Sequence, residues 1–229
     1  MKQTGCYRHE LKYEISRREY LFLSRRLRPV LAPDKNARLD GRYLVQSIYF
    51  DNIYDKGLME KKNGVLRREK FRIRYYNGDL SHIRLEKKMK YGSLSGKESA
   101  ELSEEECRKL LAKDISWMLR RPEPVLKELY GKIRHELLRP RIMVSYVREP
   151  YVCRAGNVRI TFDFDIKTSL YHLPQLGDSF GISAADSPQT AVLEVKYDEF
   201  MPEFIGRMLR MEGICRQAFS KYEICRRFG

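Results

Sequence analysis

The chain has 229 residues, of which 33% are charged and 42% hydrophobic, a composition typical of a globular protein with enough apolar residues for a core. It contains no run of the ~20 apolar residues that span a membrane and no apolar export segment at its start, so we expect a cytoplasmic protein without a membrane span. The net charge is +14, of which residues 1–90 carry +12, and this uneven excess predicts a polyanionic partner: nucleic acid, a membrane surface or a phosphate compound.

The first part of the chain is predicted to alternate strands with short helices. A strand over residues 7–15 leads into a helix, whose start is marked by the capping-box spacing of Ser16 and Glu19. The β-forming residues and turn signals that follow predict four further strands: 43–50, 69–76, 80–88 and 97–102. Asn77 and Gly78, between two of these strands, mark a tight hairpin turn.

The second part begins with helices and then returns to strands. Ser103 and Glu106 form another capping box, and the apolar spacing over 107–138 predicts two or three helices. Residues 171–190 are predicted to be a loop, and 201–227 two helices. Three more strands are predicted: 140–152, 158–166 and 191–198. The chain is therefore predicted to be α+β, with about eight mostly antiparallel strands, which is enough to close a barrel.

Charged residues occupy one face of these predicted strands. In RREKFRIRYYNG, residues 67–78, the alternation of side chains places the cations on one face and Phe71, Ile73 and Tyr75 on the other. The cationic face consists of Arg68, Lys70, Arg72 and Arg74. Four like charges in succession repel one another, so this face requires either solvent or an anion.

The alternation alone leaves three arrangements open. An open antiparallel sheet would cover its apolar face with helices and expose the charged face to water. The exposed face could also be a nucleic-acid surface, although the sequence has no recognition-helix or RNP-like signature and places acids on the same strand faces as the cations. A sheet closed into a tunnel would enclose the charges, and a bound anion would then be needed to offset their repulsion.

The cysteines and histidines argue against several kinds of site. The five cysteines lie far apart, which is typical of reduced thiols rather than of a disulfide framework or a zinc site. The four histidines show no metal-ligand spacing, which disfavours a zinc enzyme and a Ser-His-Asp hydrolase. The sequence contains no internal repeat, low-complexity tract or flexible linker, so we expect one domain over residues 1–229.

Seven short motifs occur in the order found in VTC (vacuolar transporter chaperone) domains: RHELKYEI, SIYFDN, KFRIRYYNG, LEKK, YVREP, VLEVK and FSKYEI. From Tyr7 to Ile224 the chain therefore resembles the polyphosphate polymerases of the triphosphate tunnel metalloenzyme superfamily. The resemblance implies a closed tunnel of about eight antiparallel strands, with a basic lumen and with helices packed outside. It implies nothing about protein partners.

The resemblance also implies roles for particular residues. The implied catalytic residues are Arg72, Arg74, Lys88, Arg148 and Lys221. The implied substrate-binding residues are Arg8, Lys12, Lys97, Tyr146, Lys196 and Ser220. The implied ligands of a Mn²⁺ or Mg²⁺ cofactor are Glu194 and Glu10.

One position departs from the pattern of the wider superfamily. That pattern begins with E-x-E-x-K, whereas here the residues are Arg8, Glu10 and Lys12. A cation thus replaces one acidic metal ligand, which disfavours dense two-metal coordination and suits a longer polyanion. We expect Asp163 and Asp165 to balance neighbouring cations rather than to bind metal.

Several of the assigned residues also have a purely structural interpretation. Glu194 and Lys196 could simply form an ion pair. Arg148 could pair with Glu149 or with an acid on a helix. Ser220 could be a helix N-cap, which would itself present a positive helix end to phosphate.

The resemblance implies transfer of the γ-phosphate of a nucleoside triphosphate to a growing polyphosphate chain. Phosphoryl transfer depends mainly on positioning and charge neutralisation, so the scarcity of histidine does not count against it. We therefore expect a nucleoside triphosphate and inorganic polyphosphate as partners, and no nucleic acid. An inorganic tri- or polyphosphatase of the same fold and a non-catalytic polyphosphate-binding protein remain alternatives.

Overall fold

A computed structural model of the protein describes residues 8–92, 94–169, 175–177, 182–183, 190–211 and 219–226. Its strands are β1 (Arg8–Ser16), β2 (Ala32–Pro33), β3 (Tyr43–Asp51), β4 (Arg67–Tyr76), β5 (Asp79–Tyr91), β6 (Leu94–Leu102), β7 (Arg139–Cys153), β8 (Val158–Thr168), β9 (Ile182–Ser183) and β10 (Thr190–Tyr197). Its α-helices are α1 (Arg17–Leu27), α2 (Lys56–Lys62), α3 (Glu104–Leu111), α4 (Pro124–Glu136), α5 (Glu203–Leu209) and α6 (Lys221–Cys225). Short 3₁₀ helices cover Ser116–Arg120 and Ala155–Asn157.

Eight of these strands close into a ring. The strands β7, β3, β4, β5, β6, β1, β10 and β8 are hydrogen-bonded in that order, and β8 pairs again with β7. All of these pairings are antiparallel. The two-residue strands β2 and β9 attach to β7 and β8. The predicted α+β fold with a closed ring of eight antiparallel strands is confirmed.

The turn and capping signals in the sequence coincide with the ends of strands and helices in the structure. Asn77 and Gly78 join β4 to β5 with φ angles of 56° and 73°, the left-handed geometry that a two-residue hairpin turn requires. The side chain of Ser16 caps α1 and that of Ser103 caps α3, each in a complete capping box.

Apolar side chains on the outside of the ring are covered by helices. Ile73 of β4 and Leu85 of β5 belong to one buried cluster, to which α3 and α4 contribute. Phe162 of β8 and Leu193 of β10 belong to a second, to which Tyr20 of α1 contributes. Because burial of this apolar surface stabilises the outward faces, the charged faces of the same strands are turned inward.

The last described helix, α6, packs against inward-facing residues of β3. The ring of Tyr222 lies 5.3 Å from that of Tyr49, and its hydroxyl donates to Asp51 at 2.6 Å. Tyr49 and Tyr222 share a buried cluster with Val45 and Val144, so part of the ring interior is filled. The sequence predicted this helix but not its location.

Two other predictions fall largely outside the described residues. Of the predicted loop 171–190, the structure describes 175–177, 182–183 and 190, and residues 182–183 form β9. The break between the last two helices, near Gly213, lies outside the described part of the chain. Within that part, none of the helices has the length and apolar character needed to cross a membrane.

Candidate functional site

A cavity of about 530 Å³ lies inside the ring. Its lining, among the residues that the structure describes, includes eleven lysines or arginines and three glutamates. The whole cationic face of β4 contributes to it: Arg68, Lys70, Arg72 and Arg74. This face therefore points into the ring rather than to bulk solvent, and the basic lumen is confirmed.

Arg72 and Arg74, two residues of this lining, contact the carboxylate of Glu86. Glu86 lies opposite Arg72 on β5 and accepts hydrogen bonds from its Nε at 2.8 Å and its Nη2 at 2.6 Å. Burial would raise the pKa of Glu86, but the charges of Arg72 and Arg74 hold it well below its usual range. Arg74 also donates to the hydroxyls of Ser47 at 3.0 Å and Tyr146 at 3.1 Å. Both guanidinium groups are thus held in fixed orientations.

Asp163 on β8 is the centre of a second charged group. It is fully buried, accepts from Arg148 Nε at 2.6 Å and Nη2 at 2.7 Å, and lies 2.6 Å from Lys221 Nζ. Burial would raise the pKa of Asp163, but Arg148 and Lys221 lower it below its ordinary value. Lys221 is the first residue of α6, which Ser220 caps by accepting from the amide of Glu223. The last helix therefore places a cation inside the ring.

Glu10 on β1 and Glu194 on β10 form a third charged group with lysines. Lys88 Nζ lies 2.9 Å from Glu10 and Lys196 Nζ lies 2.5 Å from Glu194, while Lys12 Nζ is 3.5 Å from Glu10. Burial would raise the pKa of Glu194, but Lys196 and Lys12 hold it well below its usual range. Burial, together with the charge of Lys12, lowers the pKa of Lys88 to about 7.

Glu10 and Glu194 are also the residues that could hold a divalent metal ion. Both carboxylates lie near Lys196 Nζ, at 3.6 Å for Glu10 and 2.5 Å for Glu194, so the two side chains are close together. Thr161, opposite Glu194 on β8, has a buried hydroxyl oxygen without a hydrogen-bond partner among the described residues. Such hard oxygen ligands suit Mg²⁺ or Mn²⁺, which take one or two carboxylates and complete their coordination with phosphate and water. No larger group of His, Cys, Asp or Glu side chains that could hold a metal occurs in the described part of the chain.

Two of the predicted substrate-binding residues lie outside the cavity lining. Arg8, at the edge of the ring, pairs with Asp198 at 2.6 Å. Lys97 reaches Glu86 at 3.0 Å with a side chain that is 49% exposed. The other eleven predicted residues line the cavity: Glu10, Lys12, Arg72, Arg74, Lys88, Tyr146, Arg148, Glu194, Lys196, Ser220 and Lys221.

The structure brings further residues to the site that the sequence analysis did not assign. Glu86 faces inward on the same face of β5 as Lys88, as strand alternation places it, but no motif marks it as the partner of Arg72. Tyr49 is another such residue: burial would raise the pKa of its hydroxyl, but Arg72 and Arg74 lower that pKa below its ordinary value. Four additional cations line the cavity: Lys61, Arg68, Lys70 and Lys90.

The structural interpretations of the assigned residues are resolved as well. Arg148 pairs with Asp163 and not with Glu149, because Glu149 faces outward and accepts a 2.5 Å hydrogen bond from Tyr20 of α1. Asp163 balances neighbouring cations, as expected. The ion pair of Glu194 and the N-cap of Ser220 are both present, and both residues nevertheless line the cavity.

Comparison with known proteins shows which structures the chain is similar to and which family it belongs to. Among solved structures, the chain is similar to the PH1819 protein from Pyrococcus horikoshii, with a TM-score of 0.49 and 15% identity over 95% of this chain and 97% of that chain. It is also similar to a Bacillus halodurans protein provisionally described as an adenylate cyclase, with a TM-score of 0.48 and 14% identity over 89% of this chain and 86% of that chain. The sequence matches none of the curated proteins. It matches the family model of the VTC domain over residues 7–228, and the protein therefore belongs to the VTC domain family.

Proposed function

We propose that the protein is a phosphotransferase that moves the γ-phosphate of a nucleoside triphosphate to the end of a growing polyphosphate chain inside the ring. The observation that carries this proposal is the cavity lining, in which eleven lysines and arginines outnumber three glutamates. Linked phosphates are the kind of ligand whose charge offsets the repulsion within such a lining. Membership of the VTC domain family supports the same class of substrate.

In the proposed reaction Arg72 and Arg74 bind the oxygens of the transferred group, because their planar guanidinium groups match two phosphate oxygens at once. The terminal oxygen of the chain attacks the γ-phosphorus. A new phosphorus–oxygen bond forms while the bond to the β,γ-bridging oxygen breaks, and the nucleoside diphosphate leaves. Arg148 and Lys221 offset the negative charge along the substrate. The attacking oxygen is already anionic near neutral pH, so no side chain has to remove a proton.

A Mn²⁺ or Mg²⁺ ion held by Glu194 and Glu10 is part of this proposal. When bound, the ion would neutralise charge on the phosphate oxygens. Lys12, Lys88 and Lys196 contact these two carboxylates and line the cavity, and in this proposal they would donate hydrogen bonds to substrate phosphates once the ion is bound.

The pairing of the inward carboxylates favours transfer over hydrolysis. A hydrolase needs a carboxylate that is available to orient a water molecule. Each inward carboxylate of the three charged groups lies within 3.0 Å of a lysine or arginine nitrogen: Glu10, Glu86, Asp163 and Glu194.

The test is incubation of the purified protein with ATP and Mn²⁺ or Mg²⁺, followed by sizing of phosphate polymers on a gel. We expect chains that lengthen with time only when the metal is present. Arg72→Ala and Glu194→Gln should each lower the rate on the order of 10²-fold, the effect of removing one group that stabilises transition-state charge. Lys127→Gln, which removes an exposed lysine of α4, should leave the rate unchanged.

Three results would overturn the proposal. Release of only orthophosphate from tripolyphosphate, with no chain growth, would identify a triphosphatase. Tight binding of polyphosphate without consumption of nucleotide would identify a non-catalytic binding protein. A steeply salt-dependent affinity for nucleic acid that exceeds the affinity for polyphosphate would identify a nucleic-acid-binding protein.

A further inference from the structure

A second cavity, of about 540 Å³, adjoins the first where β3 and β4 separate. The pairing of these strands ends at Tyr49 and Arg72. Beyond this point Phe50 and Asp51 pair with β7, whereas β4 continues back to Arg67 paired only with β5. The second cavity occupies this gap in the wall of the ring, between β3, α2, β4 and α4.

Three cations stand where the two cavities meet. Arg68, Lys70 and Lys90, here called the junction cluster, line both cavities. Arg68 on β4 lies directly opposite Lys90 on β5, and Lys70 is the next inward residue of β4. Like charges that face each other across a strand pair repel and destabilise the sheet.

The junction cluster differs from the cations deeper in the ring. Arg72 and Lys88 each have a carboxylate within 3.0 Å. Among the described residues, no carboxylate lies within ion-pair distance of the junction cluster. Arg68 donates to the backbone carbonyl of Lys61 at 3.5 Å, and Lys70 Nζ lies 4.6 Å from the centre of the Tyr222 ring.

The acids around the junction cluster contact other groups directly: Asp51 accepts from Tyr222, Glu223 pairs with Lys61 and Glu10 pairs with Lys88. Glu69, between Arg68 and Lys70 in sequence, contacts Lys87 and Lys132 on the outer side of the ring. Burial lowers the pKa of Lys70 to about 8, and burial also lowers the pKa of Lys90 below its ordinary value. The junction cluster therefore consists of three partly desolvated cations that have no direct ion pair among the described residues; the acids that act on it from longer range are Asp51 and Glu223 on Lys70 and Glu10 on Lys90.

We propose that the junction cluster is a second phosphate-binding position, which holds the part of a polyphosphate chain that extends beyond the phosphates bound at Arg72 and Arg74. This inference rests on the proposed function. Six residues of extended strand, roughly 20 Å, separate Arg68 from Arg74, and three linked phosphates do not span that length. Tripolyphosphate held at Arg74 stops short of Arg68 and Lys90, whereas a longer chain reaches them.

The experiment compares the affinities of tripolyphosphate and long-chain polyphosphate by calorimetric titration of the full chain. Lys90→Gln should lower the affinity for the long chain about tenfold, the loss of one charge-assisted hydrogen bond, and should leave the affinity for tripolyphosphate within about twofold. The same variant should melt at a higher temperature without ligand, because it removes the repulsion from Arg68. Lys127→Gln, the exposed control on α4, should change neither affinity nor melting temperature.

The alternatives give different results. Equal losses for both ligands would place Lys90 in the same site as Arg74, and no loss for either would show a merely solvated cation; each overturns the second position. Orthophosphate binding that is lost in Lys90→Gln, with long-chain affinity unchanged, would show a separate phosphate and overturn the link to the chain. If the wild type binds no phosphate compound, the proposed function fails as well. If the wild type extends polyphosphate chains but Lys90→Gln does not selectively lose affinity for the long chain, only this inference is overturned.

Discussion

Alternate residues of β4 form an outward face and an inward face, and the two faces have different surroundings. On the outward face Ile73 and Tyr75 are fully buried in an apolar cluster with α3 and α4. On the inward face Arg72 and Arg74 are almost as enclosed, but their neighbours are a carboxylate and hydroxyls. This difference predicts that stability and ligand binding depend on different residues of the strand. Substitutions on the outward face should unfold the protein, and substitutions on the inward face should weaken phosphate binding.

The largest expected effect is a loss of stability at Asp163, which faces inward but which we expect to stabilise the fold. Asp163→Asn leaves Arg148 and Lys221 buried without a negative partner, and we expect a loss of about 3–5 kcal/mol in the free energy of unfolding. Denaturant titration measures it. Asp165→Asn is the matched control, because Asp165 is exposed on the same strand and should lose less than about 0.5 kcal/mol. Equal stabilities for the two variants would show that inward carboxylates do not stabilise the ring.

The second-largest expected effect is a loss of stability when Ile73 on the outward face is replaced. Ile73→Ala leaves a cavity in the apolar cluster and should cost about 3 kcal/mol of stability, whereas Ile73→Val should cost about 1 kcal/mol. The affinity of the folded protein for polyphosphate should not change in either variant. A tenfold weaker affinity in a folded Ile73→Val protein would contradict the separation of the two faces.

A smaller loss is expected at the start of α3, outside the ring. Ser103 accepts from the amide of Glu106 at 3.1 Å, and Ser103→Ala removes this cap at a cost of about 1 kcal/mol. Thermal unfolding measures the loss, and polyphosphate affinity is the second readout. Ser116, exposed in the following 3₁₀ helix, provides the control Ser116→Ala; a decrease in affinity for Ser103→Ala alone would link α3 to the inward face.

The smallest effect is a pH dependence at Lys70. Because its pKa is lowered to about 8, its charge is lost between pH 7 and 9, and long-chain affinity should fall about threefold over that range. Lys70→Arg should remove this dependence, since arginine stays charged. The charged and titratable groups around Lys70 are Tyr49, Asp51, Arg68 and Glu223. A slope that persists in Lys70→Arg would assign the titration to another group.

The same pKa has an opposite consequence for stability without ligand. The folded-state pKa of Lys70 is below its unfolded value, so between about pH 8 and pH 10 the unfolded chain binds more protons than the folded one. The free energy of unfolding should therefore rise with pH across this window. Comparing this rise in the wild type and in Lys70→Arg isolates the contribution of the lysine.

Much of the ring could be predicted from the sequence because its signals are local. The period-two alternation in β4 separates Arg72 from Ile73 without any knowledge of neighbouring strands. Turn chemistry at Asn77 and Gly78 and the capping box at Ser103 likewise depend only on adjacent residues. These features survive in the folded protein because tertiary packing agrees with them.

The pairing of the inward charges could not be predicted in this way. Asp163 meets Arg148 only through the register of β7 with β8, and it meets Lys221 only because α6 returns to the inside of the ring. Arg148 had an acid beside it in sequence, Glu149, but adjacent residues on a strand point to opposite faces. Which carboxylate each cation contacts is therefore decided by closure of the sheet, a long-range event that local patterns do not encode.

Within the described part of the chain, the shortest ladder between neighbouring strands of the ring joins β1 to β6, with the pairs Arg8–Ser95 and His9–Leu94. Every other junction between neighbouring strands of the ring is a longer ladder. Among the described residues, separating these two strands breaks the fewest interstrand hydrogen bonds of any junction in the ring, so the amide hydrogens of Arg8, His9, Leu94 and Ser95 should exchange with solvent sooner than those of the longer ladders.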